Sequence, residues 1–177
     1  MVKHPSDSAA PRSLRAHAIA ATLVYGVDAF VFAQGALAGI TLLVMVVLGL
    51  IHVVRGLIAD RPRARFGLKT IAIYVIMMAS VVATIQANNR LAARRADGLV
   101  VALESYKSRT GDYPARLSDL VPEYLPSVPL AKYTLLFNDF SYHHDLSERR
   151  GFLMYTVIPP FGRRTYWLDT GTWGYLD

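Results

Sequence analysis

Residues 18–33 are apolar except for Thr22, Tyr25 and Asp28, and residues 36–57 are apolar except for Thr41, His52 and Arg55. Gln34-Gly35 separates the two runs. A hydrocarbon core of about 30 Å needs ~20 helical residues at ~1.5 Å each, so the pair predicts a helical hairpin that crosses a membrane twice. A third apolar run, 71–87, passes without Pro or Gly into a polar segment that begins at Asn88. Beyond it Ala92, Ala96, Leu99, Leu103 and Tyr106 recur at alternating steps of four and three, which predicts one helix with a buried stripe. One long helix therefore begins in lipid and ends in a water-soluble domain.

Gly111 predicts the stop of that helix, Tyr113-Pro114 an extended or turning backbone, and 117–121 a short helix ended by Pro122. A proline-punctuated loop follows through Pro126 and Pro129. Aromatic and β-branched residues separated by turn signals predict strands over 133–137, 140–143, 152–158, 165–168 and Thr172–Leu176. Short sequential strands with short links favour an antiparallel meander, which the helical stripe can cover. The expected fold class is an α+β membrane protein: three transmembrane helices, the third continuing as a long helix on a small antiparallel sheet. The expected organisation is an amino-terminal tail over 1–16, the hairpin over 17–57, a basic loop over 58–69, the third span over 70–88 and the soluble domain over 89–177.

Charge sets the direction. Lys3, Arg12 and Arg15 precede the first span, Arg55, Arg61, Arg63, Arg65 and Lys69 crowd the link between the second and third, and the Gln34-Gly35 turn carries none. The positive-inside rule places both basic segments in the cytoplasm and everything after Asn88 on the other face, although Arg90, Arg94 and Arg95 lie near that boundary too. A cleaved signal peptide is the competing reading of the first segment, disfavoured by Pro5, Pro11 and the lack of a clean cleavage site after Asp28. The net charge of +6 collects at the ends of apolar runs, not along one soluble face, so the sequence predicts lipid and membrane protein subunits as partners, and no nucleic acid. Zero cysteines exclude disulfides, zinc-thiolate sites and thiol catalysis.

Val101-Ala102-Leu103-Glu104-Ser105-Tyr106-Lys107, Gly111-Asp112-Tyr113-Pro114, Leu117, Leu120-Val121-Pro122 and Tyr124-Leu125-Pro126 stand in a telling order. The segment resembles the part that follows the long helix in type IV pilins and the major pseudopilins of type II secretion. That resemblance covers about a third of the chain. It implies a pilin-like helix-on-sheet domain, a bacterial inner-membrane location with the amino terminus cytoplasmic and the carboxyl-terminal domain periplasmic, and a place near a pilus or secretion machine. Phe66-Gly67-Leu68-Lys69-Thr70-Ile71 departs from the family, lacking the acidic fifth residue after a processing glycine and following two spans instead of a short leader. Asp139, Asp145 and Asp169 stand apart without calcium-loop spacing. The fold is carried over, and filament assembly is not.

Within the spans Asp28 is the outlier, since an acid there costs about 2.5 to 3.5 kcal/mol on insertion scales. Its depth matches Thr41 and the half of the third span holding Ser80, Thr84 and Gln86, which predicts a polar contact locking three helices. A proton or ion path, or a partner subunit's base, is the alternative. His17 and His52 stand equidistant from the turn as interfacial polar residues; a haem between them is the sharper and rarer reading. His143 and His144 alternate faces on a strand, which keeps both from one ion, and a solvated sheet end is expected there. Small residues at Gly35, Gly39, Ala72, Ala79, Ala83 and Ala87 allow close helix packing. Tyr155, Tyr166, Trp167, Trp173 and Tyr175 form an aromatic surplus, a core or a partner interface.

No Gly-rich phosphate loop, Gly-x-Ser-x-Gly or His-Glu-x-x-His motif is present, so no catalytic, cofactor or metal residues are assigned. The expectation is a non-enzymatic inner-membrane protein whose exported domain serves assembly or protein-protein interaction, with a homo-oligomer compatible. An accessory subunit of a larger membrane enzyme or transporter is the alternative, and a membrane immunity protein a weaker one.

Overall fold

The computed structural model describes residues 9–59, 61–145 and 150–176. Lys3 and Asp60 lie outside them. The fold is α+β: α1 (Ala9–Val27), α2 (Ala36–Ala59) and α3 (Arg61–Thr110), then β1 (Ser141–Asp145), β2 (Arg150–Ile158), β3 (Gly162–Trp167) and β4 (Thr172–Leu176). A short 3-10 turn, Leu117–Leu120, falls where Leu117 and Val121-Pro122 predict it. All three long helices are long and apolar enough to cross a membrane. The chain divides into two compact units, 1–85 and 86–177, and α3 runs unbroken from one into the other.

In the first unit Ala21, Ala38, Tyr74, Met77 and Val81 form a buried cluster drawn from all three helices. α1 ends in a π-helical turn, Asp28–Phe32, closed by the Ala33 N–H on the Asp28 carbonyl. Ala33 at φ 53° and Gly35 at φ 75° then reverse the chain through left-handed backbone. The segment expected as a tail is helical from Ala9, and the basic link expected as a loop over 58–69 is helical on both sides of Asp60. Pro62 sits in the first turn of α3, where its missing N–H costs nothing, so proline starts this helix instead of interrupting it.

α3 is 50 residues long and stops at Thr110, where Gly111 at φ 89° donates its N–H to the Lys107 carbonyl. Lys107 and Arg109 in its last turn complement the negative end of the helix dipole. The stripe its spacing predicts is buried: Ala92, Ala96, Leu99 and Leu103 are fully covered. Leu99 and Leu103 pack with Leu153, Tyr166 and Leu168 of the sheet side and with Tyr113, Leu117 and Leu120 of the connecting segment. Full burial of each such leucine contributes ~1.5–3 kcal/mol. Closer to Asn88 the stripe narrows to alanines because the Tyr155 ring lies on Ala92 and Ala96.

The strands form an antiparallel meander in the order β1-β2-β3-β4. Leu153 faces Tyr142 and Tyr166 across the ladder, and Phe152 faces His143 and Trp167. Alternation along β2 therefore sends Leu153 and Tyr155 to the helix and Phe152 and Met154 outward. Residues 133–137, expected as a strand, form no strand. Asn138 instead accepts hydrogen bonds from the Ala131 and Lys132 N–H groups at 2.6 and 3.3 Å, and Phe137 adopts φ 56°, so the segment curls into a closed loop.

Candidate interaction site

Asp28 is fully buried, and its two carboxylate oxygens accept the backbone N–H groups of Gly35 at 2.9 Å and Ala38 at 2.7 Å. It thus caps the amino-terminal end of α2 from the preceding helix, where unsatisfied N–H groups and the positive end of the dipole stabilise an anion. Those two hydrogen bonds give the buried carboxylate polar partners within the chain. The residues grouped with it by depth go elsewhere. Thr41 and Ser80 donate to the carbonyls of Leu37 and Ile76 in their own helices, and Thr84 shares a hydrogen bond of 3.1 Å with the Tyr25 hydroxyl. Gln86 is exposed.

The Phe66 ring packs against both histidines, its centroid 6.0 Å from His17 and 5.7 Å from His52. His17 also meets the Tyr74 hydroxyl at 3.2 Å. Arg55, Arg61, Arg63, Arg65 and Lys69 are all exposed around the α2–α3 connection.

Close helix approach is made by glycines the small-residue pattern passed over. A Cβ on Gly67 would come within 2.5 Å of the Gly49 carbonyl oxygen, and one on Gly56 within 2.2 Å of the Ala64 nitrogen. Gly39, within the pattern, has nothing within 4 Å. A seven-residue spacing from Gly49 to Gly56 was the available signal.

In the second unit the Glu104 carboxylate accepts from the hydroxyls of Tyr113 at 2.6 Å and Tyr166 at 3.1 Å. Burial first, then this carboxylate, pushes both phenols above their ordinary range. Tyr142 is likewise pushed up by burial and donates to the Pro114 carbonyl. His144 packs edge-on against Tyr113 and lies 3.5 Å from an Asp112 oxygen with its side chain 1% exposed. The solvated end expected for it is not observed, because the sheet turns it toward the helix side. Lys132 is buried, donates to the Val157 carbonyl at 3.1 Å, and burial lowers its pKa to about 8.

Of the aromatic candidates, Tyr155 and Tyr166 are core residues, 3% and 6% exposed. Trp173 is half-buried beside Tyr155 and Tyr166, and Arg164 lies over its ring at 5.2 Å. Tyr175 is exposed. Trp167 belongs to the outer face, where His143, Phe152 and Trp167 form a cross-strand aromatic ladder with centroids 5.9 and 6.2 Å apart. Asp145, Arg150 and Asp169 join this ladder around a cleft of about 410 Å³. The sequence places His143 at a solvated sheet end and Phe152 within a strand, but their ladder with Trp167 becomes legible only once register is known. The arrangement combines half-buried aromatic surface with both signs of charge, the chemistry of a protein-binding patch.

Among the described residues no group of three His, Asp or Glu side chains is placed to hold a metal ion. No protein family, curated protein or solved structure matches this chain.

Proposed function

We propose that the chain is a non-enzymatic inner-membrane protein that displays a pilin-like domain on the periplasmic face for docking to other membrane protein subunits, as an accessory to a pilus or secretion machine. The observation that carries this reading is α3, a single helix whose first part joins an apolar three-helix unit and whose last part supplies the core of the sheet unit. Membrane insertion is supported by the exposed apolar belt of α2, including Leu43, Val47, Leu50 and Val54, which water would not tolerate on a soluble monomer. The five exposed cations gathered at one end of the α2–α3 pair support a cytoplasmic location for that end. A helix lying across an antiparallel meander supports the pilin-like reading, as do the motif residues Tyr113 and Leu117 within its core and Glu104, half-buried and bonded to Tyr113.

Docking uses the outer aromatic ladder and the charged cleft beside it. Both carboxylate oxygens of Asp28 are engaged within the chain, which does not favour a partner subunit's base as their partner. The test is affinity purification of the tagged full chain in mild detergent. Specific membrane proteins are expected to copurify and to be lost in Trp167→Ala, with Trp173 fluorescence and the melting transition retained. A chain that elutes alone, or whose companions are indifferent to Trp167, contradicts the proposal.

A further inference from the structure

Among the described residues of the sheet unit, a group of exposed apolar side chains lies at the end that carries Asn88, apart from the exposed Val101 farther along the helix. The Tyr133 N–H donates to the Asn88 side-chain oxygen at 3.2 Å, and the Arg95 guanidinium grips the same loop through the Leu130 carbonyl and the Tyr133 ring. The loop is therefore pinned to the first residue after the apolar run 71–87. Beyond that pin Leu135 is 74% exposed, and Leu136 and Phe137 are also uncovered.

A second segment reaches the same end independently. β2 travels from Leu153, packed on Leu99 and Leu103, through Tyr155, packed on Ala92 and Ala96, to Val157, which shares a hollow of about 220 Å³ with Asn89 and Ala93. Its direction of travel is toward Asn88, so the β2–β3 turn comes next in line. That turn presents Ile158 and Phe161, 61% and 73% exposed. Arg90 and Arg163 are exposed at this end as well. At the opposite end, the β3–β4 turn over 169–171 is exposed and polar.

We infer that this end of the sheet unit is a lipid-contacting surface: the 135–137 loop tip and the Ile158/Phe161 turn enter the headgroup layer of the same bilayer that 71–87 crosses, with Arg90 and Arg163 against lipid phosphates. The inference rests on the reading of 71–87 as a span. A bilayer is the occupant that fits because its surface must lie at the height of Asn88, and because apolar tips flanked by arginine match an acyl boundary beneath a phosphate layer.

The test uses the full chain, whose lack of cysteine permits single labelling sites. Leu135→Cys, Phe161→Cys, Thr170→Cys and Val82→Cys each carry an environment-sensitive fluorophore in nanodiscs of phosphatidylcholine and phosphatidylglycerol with spin-labelled acyl chains. The expected result is a blue shift and strong quenching by the shallow spin label at 135 and 161, quenching at 82, and none at 170. Quenching at 82 with none at 135 and 161 overturns the inference and leaves the span standing. Loss of quenching at 82 removes the span and the inference together. Labels at 135 and 161 shielded from aqueous quencher yet untouched by lipid spin labels would assign the surface to a protein, and so overturn it.

Discussion

Gly67→Ala is expected to destabilise the helical unit, while Gly39→Ala is expected to leave it unchanged or slightly more stable. The two substitutions add the same methyl group to helices of the same unit. At Gly67 the new Cβ meets the Gly49 carbonyl oxygen at 2.5 Å and the flank of Val53 at 3.0 Å, so the α2 and α3 backbones must separate. Overpacking of this kind costs about 1–3 kcal/mol, and here the obstacle is backbone that cannot rotate away. At Gly39 the methyl meets nothing within 4 Å, and removing a helical glycine recovers ~0.5–1 kcal/mol of chain entropy. Equilibrium unfolding in mixed micelles of mild detergent and dodecyl sulfate measures both. Shifts of the same sign and size would mean that α2 and α3 do not meet through Gly49 and Gly67.

The stability of the sheet unit is expected to rise between pH 8 and pH 10, which is unusual for a protein and is traceable to Lys132. Burial lowers this amine from 10.5 to about 8. Below pH 8 both folded and unfolded chains hold the proton, and the full cost of a buried ammonium is present. Above pH 8 the folded state releases it while the unfolded chain keeps it until 10.5, so the cost is relieved, by about 3 kcal/mol across the window. Tyr113, Tyr142, Tyr155 and Tyr166 act in the other direction, since burial raises each of them. The stability they contribute is present below their ordinary value of 10 and lost as pH climbs through their raised values, which sets a maximum near pH 10. Lys132→Met is expected to stabilise the unit near pH 7 and to flatten the rise. Both tryptophans lie in the sheet, so denaturant titration of the full chain followed by tryptophan fluorescence isolates this unit. An unchanged slope in the variant would contradict the assignment to Lys132.

Much of the architecture was legible because it follows from period and length. Apolar runs announced three helices, and the Ala92-to-Leu103 stripe announced the buried face of α3. Residues within 140–143, 152–158, 165–168 and 172–176 announced the four strands, because β-rich segments bounded by turn signals leave few alternatives. Residues 133–137 have the same composition and become a loop, because the pairing of Asn138 with Ala131 and Lys132 wins over local preference and Phe137 enters left-handed backbone. Charge is the strongest feature of the basic 61–69 segment and suggests a loop, yet after Pro62 only Gly67 in it opposes a helix.

The site was less legible. Depth along a span gave Asp28 the wrong neighbours, because a carboxylate seven residues before Gly35 reaches the backbone of the next helix through a π-turn that no periodicity encodes. Trp167 was named as an interface residue, but its ladder partners His143 and Phe152 emerge only from the strand register. The exposed tip at Leu135 lies in a segment whose composition reads as strand, and only the Tyr133–Asn88 hydrogen bond ties that loop to the start of the sheet unit.

The most direct test of the account is sidedness, because all of it depends on α3 carrying the sheet unit across a bilayer. In Ser6→Cys and Ser108→Cys variants of the full chain, expressed in bacteria with a permeable outer membrane, a membrane-impermeant maleimide is expected to label residue 108 before lysis and residue 6 only after it. Labelling of both positions under the same condition, before lysis or only after, would contradict the account.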